Sequence, residues 1–331
     1  VVRHTVWWAG VASRGHLTYG ISWVRELLRR EPGEVSLRML PTRQFFGGDE
    51  ITPSQVSALL DDARVDVAHW DGSSAPPGER LWMLSTGAVG IKPWLRLRTR
   101  HPSRRITVVV TDEGLGTYGN WRSRWEAMQR QGVGEPWRTV RTTAVELATG
   151  TLTNVRWPLH VRLAQRWGLN APVADEFRRL APAPAVARRA VFLSQPWPEL
   201  GVLDVATYQN HVEEVAEACR RIGLDMVVLP HPGEAPGRHS RHAAHDAPAE
   251  PTLAEFNPVA LGATVLVGAS STALLNLAAV HGIRALRVGT PELIALDEAL
   301  APRQASLLGQ YASPCQPPAE FGRRLSQELG Q

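Results

Sequence analysis

Residues 106–116, Ile106-Thr107-Val108-Val109-Val110-Thr111-Asp112-Glu113-Gly114-Leu115-Gly116, decide the fold. The first six are all β-branched, and such side chains are stiff at χ1 and fit the pleat of a buried strand. Two acids end the run, and glycines then let the chain turn sharply. Residues 226–234, Met226-Val227-Val228-Leu229-Pro230-His231-Pro232-Gly233-Glu234, repeat the grammar with a histidine between two prolines. Residues 264–272, Thr264-Val265-Leu266-Val267-Gly268-Ala269-Ser270-Ser271-Thr272, repeat it again with hydroxyls that open a helix. Short apolar strands that end in polar or small residues belong to parallel sheets covered by helices. Such sheets bind ligands beyond the carboxyl ends of their strands.

The rest of the chain keeps that rhythm. The spacing predicts further strands over 5–9, 35–40, 65–70, 190–193 and 285–288. It predicts helices over 23–30, 53–62, 93–101, 120–131, 205–222, 272–281, 291–300 and 318–329, with Thr52 and Asp204 as caps. Residues 15–20 read as a turn, 81–85 as a strand or a helix start, and 143–167 as a helix interrupted at Gly150 and Pro158. Residues 233–251 read as an irregular loop. The predicted class is α/β, with two Rossmann-like domains facing a central cleft. Residues 1–170 form the first domain and 186–331 the second. Residues 171–185 link them, and the last helix is a candidate to pack back on the first domain.

At 331 residues the chain has room for about two domains. A composition 44% hydrophobic and 21% charged excludes a disordered chain. The formal charge is +4, and Lys92 is the single lysine among the cations. That balance suits an anionic substrate, and no motif points to a nucleic-acid partner. Cys219 and Cys315 show no metal-ligand spacing, which makes a reducing, cytoplasmic setting the expectation. The longest apolar stretch, 263–280, contains Gly268, Ser270, Ser271, Thr272 and Asn276 and reads as a strand entering a helix, not a membrane span.

Each strand end has its chemistry. Asp112 and Glu113 are close enough to raise one carboxyl pKa, which suits a general base, although acids also occur in plain helix-entry turns. Gly114, Gly116 and Gly119 match a dinucleotide fingerprint, but acids before them would repel a pyrophosphate, so they read as turn-formers. His231 is held rigidly by its proline neighbours and could donate to a leaving phosphate. Ser270, Ser271 and Thr272 open a helix whose N–H groups favour an anion. His239, His242 and His245 do not make a convincing metal site in a polar loop. Arg96, Arg98, Arg100, Arg104 and Arg105 read as a solvated face. Trp7, Trp8, Trp70 and Trp121 lie near strand ends and are candidates for sugar stacking as well as for the core.

The order acid-acid-Gly, His-Pro, Ser-Ser/Thr resembles the bacterial GT-B sialyltransferases, in particular the capsular, polysialyltransferase-like branch. Phe192-Leu193-Ser194-Gln195-Pro196-Trp197-Pro198-Glu199 is similar to that family's F-x-x-Q-P-x-x-E segment. The resemblance spans 111–278 by motif. It implies inverting, metal-independent transfer of a nonulosonic acid (sialic acid, Kdn or Kdo type) from its CMP donor to a glycan hydroxyl, with no cofactor. By the resemblance Asp112 is the base, with Glu113 in reserve, and His231 contacts the CMP phosphate. Ser270, Ser271 and Thr272 bind the phosphate or donor carboxylate. Gln195, Pro232, Gly233 and Glu234 shape the nucleotide pocket, and Glu255 reaches the ribose or cytosine. Ser13, Arg14, Gly114 and Tyr118 are the acceptor-side candidates. The implied partners are the CMP-nonulosonate and a glycan acceptor, anionic in some settings, and a peripheral membrane or capsule-assembly complex at the inner face. The alternatives are a GT-B enzyme or epimerase using a UDP or GDP sugar, and a non-catalytic nucleotide- or glycan-binding module.

Overall fold

A computed structural model of the chain describes residues 2–41, 51–130, 132–243 and 252–330. The end of the expected helix at Gln131, His245 of the histidine trio and the last part of the 233–251 loop lie outside them. Two compact units emerge, Val1–Thr117 with Val133–Glu176, and Tyr118–Gly132 with Phe177–Gln331.

The first unit runs β1 (Val2–Ala9), α1 (Arg14–Arg30), β2 (Gly33–Met39), α2 (Pro53–Leu60), β3 (Val65–His69), β4 (Arg80–Thr86), α3 (Ile91–Arg100) and β5 (Ile106–Thr111). Helix α4 (Trp121–Arg130) follows and belongs to the second unit. The first unit resumes with α5 (Trp137–Leu152), β6 (Val155–Trp157) and the antiparallel pair β7 (His160–Leu163) and β8 (Arg166–Leu169). Its parallel sheet has the order β3-β2-β1-β4-β5-β6. Direction along the sheet reverses between β1 and β4, which puts the ligand crevice of such a sheet at their carboxyl ends. Leu81 and Met83 of β4 and Val108 and Val110 of β5 pack on one face with Leu97 of α3 and Leu152 of α5.

Helix α6 (Ala171–Leu180) carries the boundary, and the second unit continues with β9 (Arg189–Leu193), α7 (Val205–Arg221) and β10 (Asp225–Leu229). It ends with α8 (Pro258–Leu261), β11 (Val265–Gly268), α9 (Thr272–His281), β12 (Ala285–Arg287), α10 (Pro291–Glu298), α11 (Pro302–Tyr311) and α12 (Pro318–Leu329). The sheet order is β10-β9-β11-β12, all parallel. Strand β9 is buried throughout, with Ala190 and Phe192 packing with α7 and α12 on one face and Val191 and Leu193 packing with α8 and α9 on the other. Two apolar faces on a period of two explain its uninterrupted apolar run.

Five readings change. Residues 15–20 are helical, opened by the Ser13 cap, and Gly20 is a glycine because the Trp8 indole lies across it and leaves no room for a Cβ. The second half of 143–167 is strand: β6 pairs with β5, and β7 and β8 close a hairpin. Most of the expected linker is α6, whose Val173, Ala174 and Phe177 are buried. The last helix packs on α7 within the second unit, and the segment that changes unit is 118–132. Trp7 and Trp8 are fully buried and belong to the core rather than to a sugar platform. Among the described residues no helix is long and apolar enough to cross a membrane.

Candidate functional site

In the first unit the strand ends bring three turns together. After β1, Gly10 takes φ 84°, and Ser13 caps α1 by accepting from His16 N at 3.2 Å; Arg14 is exposed in its first turn. After β4, Gly87 takes φ 70°, and its N–H donates to Thr111 O at 2.9 Å, tying the turn to the end of β5. Asp112 and Glu113 then part company. Asp112 is 1% exposed and accepts from Leu159 N at 3.0 Å. Glu113 is exposed, with its N–H held by Thr117 Oγ1 at 3.1 Å. The Glu113 carboxylate lies over Gly87, where an added Cβ would sit 2.1 Å from Oε2, and beside Gly116. Gly114, at φ 114°, makes the turn between them that other residues rarely adopt. Tyr118 ends the 3-10 turn that follows, is buried, and is the residue at which the chain passes into the second unit. Gly87 was not among the expected residues; its sole sequence signal is a glycine just past a strand end.

In the second unit the strand ends at β10, β9 and β11 carry the expected residues side by side. Glu234 is the anchor. Its carboxylate, 1% exposed, accepts from His231 N at 2.6 Å and from Ser194 Oγ at 2.8 Å, and pairs with His239 Nε2 at 3.1 Å. Ser194 also meets the Tyr208 hydroxyl at 2.8 Å, and that hydroxyl accepts from Gln195 N at 3.0 Å. Burial pushes the Tyr208 phenol up, so it stays protonated. Arg238 forks onto Glu199 at 2.9 and 2.5 Å and holds that carboxyl down to about 2. The His231 turn is therefore fastened from beneath by bonds to the buried Glu234 carboxylate and held at its far end by the Arg238–Glu199 pair.

His231 itself is half-buried, and burial lowers its pKa against the opposing pull of Glu234 and Glu199. Its Nδ1 accepts from Gly233 N at 3.0 Å. An accepting Nδ1 leaves the proton of the neutral ring on Nε2, so the imidazole is set as a donor. Pro232 beside it is exposed. Gln195 Nε2 donates to Ser270 O at 3.4 Å across the β9/β11 switch, while its buried Oε1 has no hydrogen-bond partner among the described residues. Ser270 Oγ donates to Asp297 at 2.7 Å, and Asp297 pairs with Arg287. Ser271 is the N-cap of α9 and makes no side-chain capping hydrogen bond, and Thr272 is the first residue of that helix. Glu255 is buried on Asn276 Nδ2 at 3.1 Å with its pKa raised by burial, so it faces α9 inside the unit. His239 and His242 are tied to Glu234 and Glu213, and no metal-holding group of three occurs among the described residues. Tyr208, Arg287 and Asp297 went unforeseen, and Ser194 and His239 were named without this role; for Asp297 and Arg287, ten residues apart on different elements, no local signal exists.

No protein-family model and no curated protein matches the chain. Among solved structures, the chain is similar to one described as a UDP-N-acetylglucosamine 2-epimerase from Listeria monocytogenes, at TM-score 0.51 and 11% identity, over 95% of this chain and 92% of that one. It is also similar to MurG of Acinetobacter baumannii (TM-score 0.42, 12% identity, 99% and 91% covered) and to the E. coli heptosyltransferase WaaC with ADP (TM-score 0.42, 13% identity, 98% and 99% covered). With the two parallel sheets above, the fold is GT-B.

Proposed function

We propose that the chain is an inverting glycosyltransferase whose second unit takes a nucleotide-activated sugar and whose first unit takes the acceptor. The observation that carries this is the His231 turn: a donor imidazole whose tautomer is set by Gly233, at the end of β10. On the other side of β9, β11 opens into α9. His231 and the start of α9 thus follow the two strands that flank β9, and Gln195 follows β9 itself. A histidine N–H and a helix N-terminus can hold a departing phosphate without a metal ion. The buried Gln195 Oε1 offers an acceptor to a ligand amino or hydroxyl group.

The proposed donor is a CMP-nonulosonate, on the order of the motifs Asp112-Glu113-Gly114, His231-Pro232 and Ser270-Ser271-Thr272. The acceptor hydroxyl gives its proton to a carboxylate, its oxygen bonds to the anomeric carbon, and the bond from that carbon to the phosphate oxygen breaks to release CMP. Exposure favours Glu113 as the accepting carboxylate, with Asp112 positioning the turn through Leu159 N. Ser13 and Arg14, beside the β1/β4 crevice, with Gly114 and Tyr118, are proposed on the acceptor side. A second reading is a UDP-sugar epimerase, favoured by the similarity to the Listeria protein. Incubation with CMP-sialic acid, CMP-Kdo and UDP-N-acetylglucosamine separates the two. Release of CMP dependent on a glycan acceptor supports transfer. Conversion of the UDP-sugar without any acceptor overturns it.

A further inference from the structure

Helix α5 is built inside out. Its fully buried positions are Thr142 and Thr149, and Thr149 Oγ1 accepts from Val89 N at 3.1 Å. Trp137, Val140 and Leu147 are 68%, 52% and 66% exposed. With Ala144 they are spaced i, i+3, i+7 and i+10, which at 100° per residue forms one narrow stripe along the helix. Residues that helix packing ordinarily turns inward are turned to solvent, where they add nothing to this chain's own core.

The same face of the first sheet carries α3. Leu97 of α3 and Leu152 of α5 pack into one cluster with β4 and β5. With Leu97 inward, Leu95 points away and is 50% exposed. Residues 91–105 contain Lys92, Arg96, Arg98, Arg100, Arg104 and Arg105 and no acid. An apolar stripe with a tryptophan, beside a helix whose charged side chains, Lys92, Arg96, Arg98 and Arg100, are all cations, matches what an anionic lipid surface binds. A second copy of the chain fits less well, since a two-fold contact sets α3 against either α3 or the apolar stripe of α5 in the other copy, and neither offers the α3 cations an acid.

We propose that the α3–α5 face docks on an anionic bilayer, with Trp137, Val140 and Leu147 entering the headgroup region and the α3 cations meeting the lipid charge. The test is sedimentation of the full chain with phosphatidylcholine vesicles and with vesicles that also contain phosphatidylglycerol. Two double variants, Trp137→Ser with Leu147→Ser and Arg96→Glu with Arg98→Glu, are compared after circular dichroism shows that each is folded; because these side chains are exposed, neither exchange disturbs the core. Expected is binding to the anionic vesicles at least about tenfold stronger than to phosphatidylcholine alone, weakened by about tenfold or more in each double variant and by added salt. Absence of binding by the folded wild type, equal binding to both vesicles, or insensitivity to either pair of substitutions overturns the proposal. So does a solution dimer that the Trp137/Leu147 variant converts to monomer, because the face then belongs to a second copy.

Discussion

Replacing Glu234 should loosen the His231 turn and cost the second unit much of its stability. The carboxylate is 1% exposed and receives His231 N at 2.6 Å and Ser194 Oγ at 2.8 Å, with His239 Nε2 at 3.1 Å. Ser194 keeps Tyr208 and His239 when the carboxylate is gone, but the His231 amide loses its side-chain acceptor. A hydrogen bond to a buried charge is worth about 1.5–3 kcal/mol, and the losses do not add fully, so Glu234→Ala should cost roughly 3–5 kcal/mol. For a unit of this size each kcal/mol lowers the midpoint by about 2–4 °C, which gives a fall of about 6–20 °C. Glu234→Gln keeps one acceptor oxygen and turns an amide donor toward donors, so its fall should be about half as large. Thermal unfolding followed by circular dichroism reads both. A midpoint for Glu234→Ala within about 2 °C of wild type would refute the reasoning, since no buried anchor of this kind can be removed so cheaply.

Glu113→Gln should lower transfer by about 10²-fold or more with the unfolding midpoint unchanged, while Asp112→Asn should lower the midpoint; turnover lost in Asp112→Asn alone, at wild-type stability, would return the base to Asp112. Gly87→Ala forces a positive-φ strain of about 1–2 kcal/mol and pushes the Glu113 carboxylate aside, so the rate should drop by about 10²-fold with nucleotide affinity kept, as read by steady-state kinetics beside titration. His211 is buried with neither ring nitrogen hydrogen-bonded among the described residues, and burial lowers its pKa to about 4 from 6.5. A lowered pKa means that the unfolded chain takes the proton first. The contribution is therefore complete above pH 6.5 and lost as pH falls toward 4, by roughly 3 kcal/mol. His211→Phe should be at least as stable as wild type at pH 7 and should flatten that part of the profile; an unchanged acid limb would assign it to other groups.

The strands that position the site were readable because burial on both faces leaves β5, β10 and β11 with runs of β-branched and apolar residues. The polar residues that end those runs were readable for the same reason. What escaped was set by partners distant in sequence. Gly20 looks like a turn residue until the Trp8 ring is laid across it. The β7–β8 hairpin turns at Ala164, a non-glycine at φ 34°, so no turn residue announces it. Within the site, His231 and Ser270 were found at their strand ends. The division between a buried Asp112 and an exposed Glu113 depends on Leu159, 47 residues away. The role of Glu234 under Ser194 joins residues 40 apart. Adjacent acids carry no sign of which one the fold will enclose.

The central claim is that the ends of β9, β10 and β11 hold the phosphate of a nucleotide. Calorimetric titration of wild type and His231→Ala with CMP, UDP and ADP tests it most directly. The account predicts that wild type binds CMP in preference to the other two and that His231→Ala weakens this by about tenfold, the loss of one hydrogen bond to a charged group. Binding of none of the three by folded wild type, or CMP affinity indifferent to His231, would contradict it.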